Sequence, residues 1–201
     1  MVKKVSIGVI GIQGAVSEHL NIMQKVLKAA DAPGEVFVIK NSEDIKKIDA
    51  LILPGGESTT ISKILCKTGL HNAIFKRIEN DKLPVMGTCA GCVLLASDLV
   101  DNKKDDVKLF HAIHMQVERN AFGRQRESFE ENININGFND PYNAVFIRAP
   151  IIKKTWGDVK VLSKINKKIV VMARQDNILA LSFHPELIND LRVHRYFLDM
   201  I

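Results

Sequence analysis

Pro84-Val85-Met86-Gly87-Thr88-Cys89-Ala90-Gly91 packs a short apolar run, a glycine-flanked turn and the start of a helical pattern into eight residues. Cys89 stands at the corner. A strand that turns this sharply into a helix projects the corner side chain above the carboxyl edge of a sheet, the geometry of a nucleophile elbow. The amides that open the following helix carry partial positive charge, which favours a thiolate there. The small neighbours Gly87, Ala90 and Gly91 permit close backbone approach. A buried structural cysteine at a strand end is the alternative on this stretch alone.

Outward from that corner the first half of the chain alternates short β-branched runs with helical periods. Residues 5–10, 36–39, 50–53 and 83–86 read as strands. Apolar residues recur at helical spacing over 15–29, over 59–78 with a break at Gly69, and over 90–99. Such alternation argues a parallel sheet covered on both faces. The second half reads as strands at 107–117, 129–135, 144–147, 159–163, 169–173 and 178–183. Asn166-Lys167-Lys168 and Asp176-Asn177 are hairpin turns between them, and a last helix covers 187–200. No repeat or linker is visible. The expectation is one α/β domain over residues 1–201, with a mostly parallel central sheet and an antiparallel extension.

The chain has 201 residues, 46% hydrophobic and 25% charged, so it can bury a substantial core without disulfides or metals. Its net charge of +5 comes with few aromatics (6%) and scattered lysines, which argues against nucleic-acid binding. Three cysteines, two of them three positions apart, suit a reducing compartment rather than a disulfide framework. No apolar stretch approaches the roughly 18 residues of a membrane span, and the N-terminus lacks a signal-peptide pattern. The expected setting is the cytoplasm.

A cysteine nucleophile needs a base. Of six histidines, only His184 follows an apolar strand and stands beside a carboxylate, in Ser182-Phe183-His184-Pro185-Glu186. Residues two apart in extended chain share a side, so Glu186 can orient the His184 ring and stabilise its imidazolium, as the third member of a triad does. The same segment also reads as a plain helix start, with proline and glutamate in its first turn. Pro54-Gly55-Gly56-Glu57-Ser58-Thr59-Thr60 follows the third strand and exposes amides suited to an oxyanion hole, or simply makes a turn with an N-cap at Ser58 or Thr59. Gly11-Ile12-Gln13-Gly14 follows the first strand, but Gly8, Gly11 and Gly14 do not have dinucleotide spacing, and no Gly-Lys-Ser/Thr is present.

Together these residues resemble class I glutamine amidotransferases. More narrowly, the chain is similar to the glutaminase subunits of pyridoxal 5′-phosphate synthases. The blocks that carry this likeness run from end to end. They are Gly11-Ile12-Gln13-Gly14-Ala15-Val16, Leu53 to Thr60, Gly87 to Gly91, Val117-Glu118-Arg119-Asn120-Ala121-Phe122-Gly123-Arg124-Gln125, Val145-Phe146-Ile147-Arg148-Ala149-Pro150 and Ser182 to Leu187. The resemblance implies a three-layer αβα, flavodoxin-like fold with a Cys89–His184–Glu186 triad. It implies attack of Cys89 on the side-chain amide of L-glutamine, proton transfer through His184 to the leaving ammonia, and hydrolysis of a γ-glutamyl thioester. Gly56 and Ala90 would supply the oxyanion amides. Gly56, Glu57, Ser58, Ala90, Arg119, Ile147 and Arg148 would line the glutamine site, and paired donors make arginine apt for a carboxylate. Gln13 would belong to a loop that responds to a partner. That partner would be a (β/α)8-barrel synthase subunit in a large hetero-oligomer, receiving the ammonia; the family's glutaminase subunit uses no cofactor or metal.

Two departures from the family pattern stand out. Cys92 replaces an apolar residue and creates Cys89-Ala90-Gly91-Cys92, for which a packed inert thiol is preferred over redox chemistry or a zinc site with His111 and His114. Leu109-Phe110-His111-Ala112-Ile113-His114 also differs, which bears on the strand expected there. A cysteine peptidase or deglycase-like hydrolase would share the elbow without requiring the arginine blocks. A silent binding module would not require a triad.

Overall fold

The computed structural model describes residues 4–100, 106–119, 121 and 128–201. Largely apolar runs make the inner strands. β1 (Val5–Ile10), β2 (Gly34–Ile39), β3 (Ala50–Leu53), β4 (Val85–Thr88) and β12 (Ile178–Leu181) lie in the order β2-β1-β3-β4-β12, each pair parallel. That is the flavodoxin-like order, in which sites gather at the carboxyl edge of the strands. β11 (Ile169–Gln175) continues the sheet antiparallel to β12, and β10 (Lys160–Ile165) pairs back on β11. Beyond them lie β9 (Ile151–Thr155), β6 (Ile113–Glu118) and β5 (Ala96–Leu99). A separate hairpin is formed by β7 (Ser128–Ile133) and β8 (Tyr142–Ile147).

The period-2 geometry of the strands sends alternate residues into two cores. Leu51 and Leu53 face one side with Ile61 and Leu65 of α3 (Ser58–Lys67), Ile74 and Ile78 of α4 (Leu70–Asp81), Leu94 of α5 (Ala90–Leu95) and Ile45 of the short α2 (Ser42–Ile45). Ala50 and Ile52 face the other side. There they share a core with Met23 and Val26 of α1 (Val16–Ala29), Val193 and Phe197 of α6 (Arg192–Leu198), and Tyr142 and Phe146 of β8. The expected three-layer αβα arrangement, with its mostly parallel sheet and antiparallel extension, is present.

Four local expectations need correction. The helix expected over 90–99 ends at Leu95, because Ala96–Leu99 leaves it to pair with β6. Residues 107–112 are not a strand; Phe110 and Ala112 instead donate amides to the Leu94 and Leu95 carbonyls, sealing the end of α5. β9 was not foreseen, since Ile151-Ile152-Lys153-Lys154-Thr155 buries only Ile152 fully. The last helix begins at Arg192, after a 3-10 turn at Pro185–Leu187. Both hairpin turns are present, with Asn166, Lys167 and Asp176 at positive φ. Leu51 is fully buried in the central sheet, so Leu51→Ala is expected to lower stability by about 2–5 kcal/mol in urea unfolding; a change under about 0.5 kcal/mol would contradict this core assignment.

Candidate active site

Loops after β1, β3, β4 and β12 converge at one edge of the parallel sheet, as do the ends of β6 and β8. They enclose a cavity of about 610 Å³. Cys89 enters it from the end of β4 with φ +50° and ψ −104°, a conformation rarely adopted by a non-glycine residue and one typical of functional corners. Its amide donates to the Leu181 carbonyl at 2.8 Å, tying the corner to the end of β12. The thiol points to the Ile147 carbonyl at 3.8 Å.

His184 follows β12 by three residues and donates its amide to the Val145 carbonyl of β8 at 2.8 Å. Its Nδ1 lies 2.8 Å from Glu186 Oε1. Glu186 sits in the 3-10 turn, 5% exposed, behind the ring and away from the cavity. Burial by itself depresses the His184 pKa, but the Cys89 sulfur and the Glu186 carboxylate outweigh it and raise the value to about 10. For Glu186 burial likewise opposes ionisation, and the His19 and His184 rings hold the carboxyl below its ordinary value. Gly55 makes room for this arrangement, because a β-carbon there would run into His184 Cε1.

The cavity wall contains Gly56, Glu57, Ser58, Ala90, Arg119, Ile147, Arg148 and Gln13, every residue nominated for substrate or partner response. Gly56 has φ +140°, and the Glu57 amide beyond it donates to Gln13 Oε1 at 2.9 Å, so the loops after β1 and β3 are clasped together. Glu57, rather than Ser58 or Thr59, is the N-cap of α3; its carboxylate accepts from the Thr59 and Thr60 amides at 3.1 and 2.7 Å. Arg119 Nη1 is 3.3 Å from Asp106 Oδ2 and 3.5 Å from Thr59 Oγ1, which fixes it against the wall. Arg148 is exposed, with φ +42° at the turn out of β8. Of the block around Arg119, Asn120 and residues 122–127 lie outside the described residues.

Val93 and Pro150, which the sequence reading does not assign to the site, also line the cavity; Pro150 closes the Val145–Pro150 block. His19, Thr88 and His194 were missed as well. They lie behind Glu186, each fully buried. His19 falls on the apolar stripe of α1 with Met23 and Val26, an anomaly readable from sequence as a polar ring on a core face. Cys92 is fully buried in the core beside Leu94, and burial pushes its thiol well up. His111 and His114 lie at a different cavity, with His114 stacked on Trp156 and bonded to Gln175.

A model of the SNO glutamine amidotransferase family matches residues 9–201. The chain belongs to that family. It is 46% identical to the pyridoxal 5′-phosphate synthase subunit PdxT of Staphylothermus marinus, over 97% of this chain and 98% of that one. It is 44% identical to the protein of the same name in Pyrococcus horikoshii, with the same coverage. Among solved structures it is similar to a glutamine amidotransferase with a TM-score of 0.85 and 40% identity, over 96% of this chain and 97% of that chain. A glutamine amidotransferase from Thermotoga maritima shares the fold at a TM-score of 0.62 and 14% identity, over 92% and 77% of the two chains. No helix among the described residues is long and apolar enough to cross a membrane.

The thiols of this family member differ sharply in environment: Cys66 is exposed, Cys89 opens on the cavity and Cys92 is sealed in the core. Iodoacetamide on the native protein is expected to label Cys66 and Cys89 and to spare Cys92. Peptide mapping that finds Cys92 alkylated as fast as Cys66 would overturn this placement.

Proposed function

We propose that this chain is the glutaminase subunit of a pyridoxal 5′-phosphate synthase, acting as one domain over residues 1–201. It hydrolyses L-glutamine to L-glutamate and ammonia and passes the ammonia to a partner synthase. The observation that carries the reading is Cys89 at its strained corner, facing a ring that Glu186 Oε1 holds at 2.8 Å from behind. Family membership and relatives named as subunits of that synthase, matched over nearly their whole length, support it.

In this reading Cys89 Sγ attacks the side-chain carbonyl carbon of glutamine and His184 takes up the thiol proton. The oxyanion accepts from the amides of Gly56 and Ala90, donors aimed where charge develops. His184 returns the proton to the leaving nitrogen as the C–N bond breaks, which leaves a γ-glutamyl thioester and free ammonia. Water, deprotonated by His184, then cleaves the thioester to glutamate and restores the thiol. Arg148 and Arg119, both on the cavity wall, are taken to hold the substrate α-carboxylate. Gln13, clasped to the Glu57 amide, is taken to couple this wall to a docked partner. The partner is taken to be a (β/α)8-barrel subunit in a large hetero-oligomer.

The test measures glutamate release and synthase output together, with the partner present and absent. Cys89→Ala is expected to abolish glutamine-dependent output, by about 10²-fold or more, while ammonia-dependent output stays at the wild-type level. Equal loss of both outputs would mean that Cys89 is structural.

A further inference from the structure

Glu186 Oε2 is buried, and it has no hydrogen-bond partner of its own among the described residues. The group that faces it is His19 Nε2, at 3.4 Å, from α1; both side chains are fully buried. The same Nε2 is 3.3 Å from Thr88 Oγ1, and His19 Nδ1 is 3.2 Å from His194 Nε2 on α6. Three imidazoles and one carboxylate thus form a continuous polar chain running from Cys89 into the core.

An ionised carboxylate only accepts, so whatever faces it must carry hydrogen. His19 therefore bears its proton on Nε2, where Thr88 Oγ1 can share it. Burial holds His19 below its ordinary pKa, and in the neutral ring Nδ1 is a bare acceptor. His194 Nε2 must then donate to it. This leaves the lone pair of His194 Nδ1 unpartnered, and that atom has no partner in the structure. An unpaired lone pair there costs less than an unpaired buried N–H or a carboxylate facing a lone pair. The opposite tautomers would put two acceptors against each other at 3.4 Å.

We propose that His19 is a positioning residue for the Cys89–His184–Glu186 triad: its protonated Nε2 faces Glu186 Oε2 and holds the carboxylate in place, and His194 sets its tautomer. The inference rests on the glutaminase reading and deepens it. Glu186 is then met on each oxygen, hydrogen-bonded to His184 on one and faced by the His19 N–H at 3.4 Å on the other. The carboxylate can neither rotate nor pick up a proton without losing one of these contacts. The titratable groups facing Glu186 are His184, His19 and, across the core, Tyr142; Glu18 and His194 face His19. With the His19 donor removed, Glu186 protonates at higher pH, so the acidic limb of activity moves up.

The experiment uses the full chain with its partner synthase and measures glutamine hydrolysis across pH for wild type, His19→Leu, His19→Gln and His194→Phe. His19→Leu is expected to lower kcat about 10- to 100-fold, less than loss of the base itself. KM should stay within about twofold, and the acidic limb should move to higher pH. His19→Gln, which keeps an N–H near the position of Nε2, is expected to recover most of kcat and the wild-type limb. Equal loss in the Leu and Gln variants with an unmoved limb would mean a merely structural role and would overturn the proposal. If His19→Leu does not fold, His194→Phe carries the test through a smaller shift in the same direction, and an unmoved limb overturns it. Nitrogen chemical shifts of the imidazoles read the tautomers without activity; His19 protonated on Nδ1 would also overturn it. Wild-type turnover that persists in Cys89→Ala would instead sink the glutaminase reading, leaving the tautomers as the separate measure of this one.

Discussion

The amide of Cys89 donates to the carbonyl of Leu181 at 2.8 Å, and much of the site depends on that one bond. It extends the β4–β12 ladder, whose last register pair is Leu181 with Thr88, by one step past the strands. The corner that projects the thiol and the segment that delivers His184 are therefore indexed to each other through the sheet rather than through mobile loops. Sites supported on rigid elements hold their geometry more closely than sites on loops. A second backbone bond, from the His184 amide to Val145, locks the same segment to β8, so the carbonyl of Ile147 arrives beside the sulfur.

Behind this edge the protein buries charge and polarity that a core ordinarily excludes. Glu186 lies among Tyr142, Phe183 and other fully buried residues, and an unpaired carboxylate there would be costly. His184 offsets that cost on one oxygen and His19 faces the other. Removing one partner of such a buried arrangement costs more than the net worth of the contact, because the other group is left uncompensated. The layer beneath the site thus serves stability and ring orientation through the same contacts.

How much of this could be read in sequence follows from where each signal resides. Ala50–Leu53 is a continuous, fully buried apolar run, and Val5–Ile10 is one interrupted only by Ser6, so both strands are legible to the residue. Cys89, His184 and the Pro54–Thr60 loop were legible because turn chemistry is local. Ala96–Leu99 was not: Leu95 and Leu99 keep helical spacing, and only the distant partner Ile113–Glu118 makes the segment a strand. Residues 107–112 look like a strand because Val107, Leu109 and Phe110 are apolar, yet their burial comes from packing as irregular chain against α5. The His19–His194 contact joins residues 175 positions apart, and no spacing rule reaches that far. His19 was visible only as a polar residue on a core-facing stripe.

In the proposed reaction glutamine passes through a covalent thioester on Cys89. Hydroxylamine added during turnover by the complex with the partner synthase tests it most directly, because this nucleophile competes with water for a γ-glutamyl thioester. γ-Glutamyl hydroxamate is expected to appear at the expense of glutamate in the wild type, and neither product from Cys89→Ser. Undiminished glutamate with no hydroxamate, or hydroxamate formed without Cys89, would contradict it.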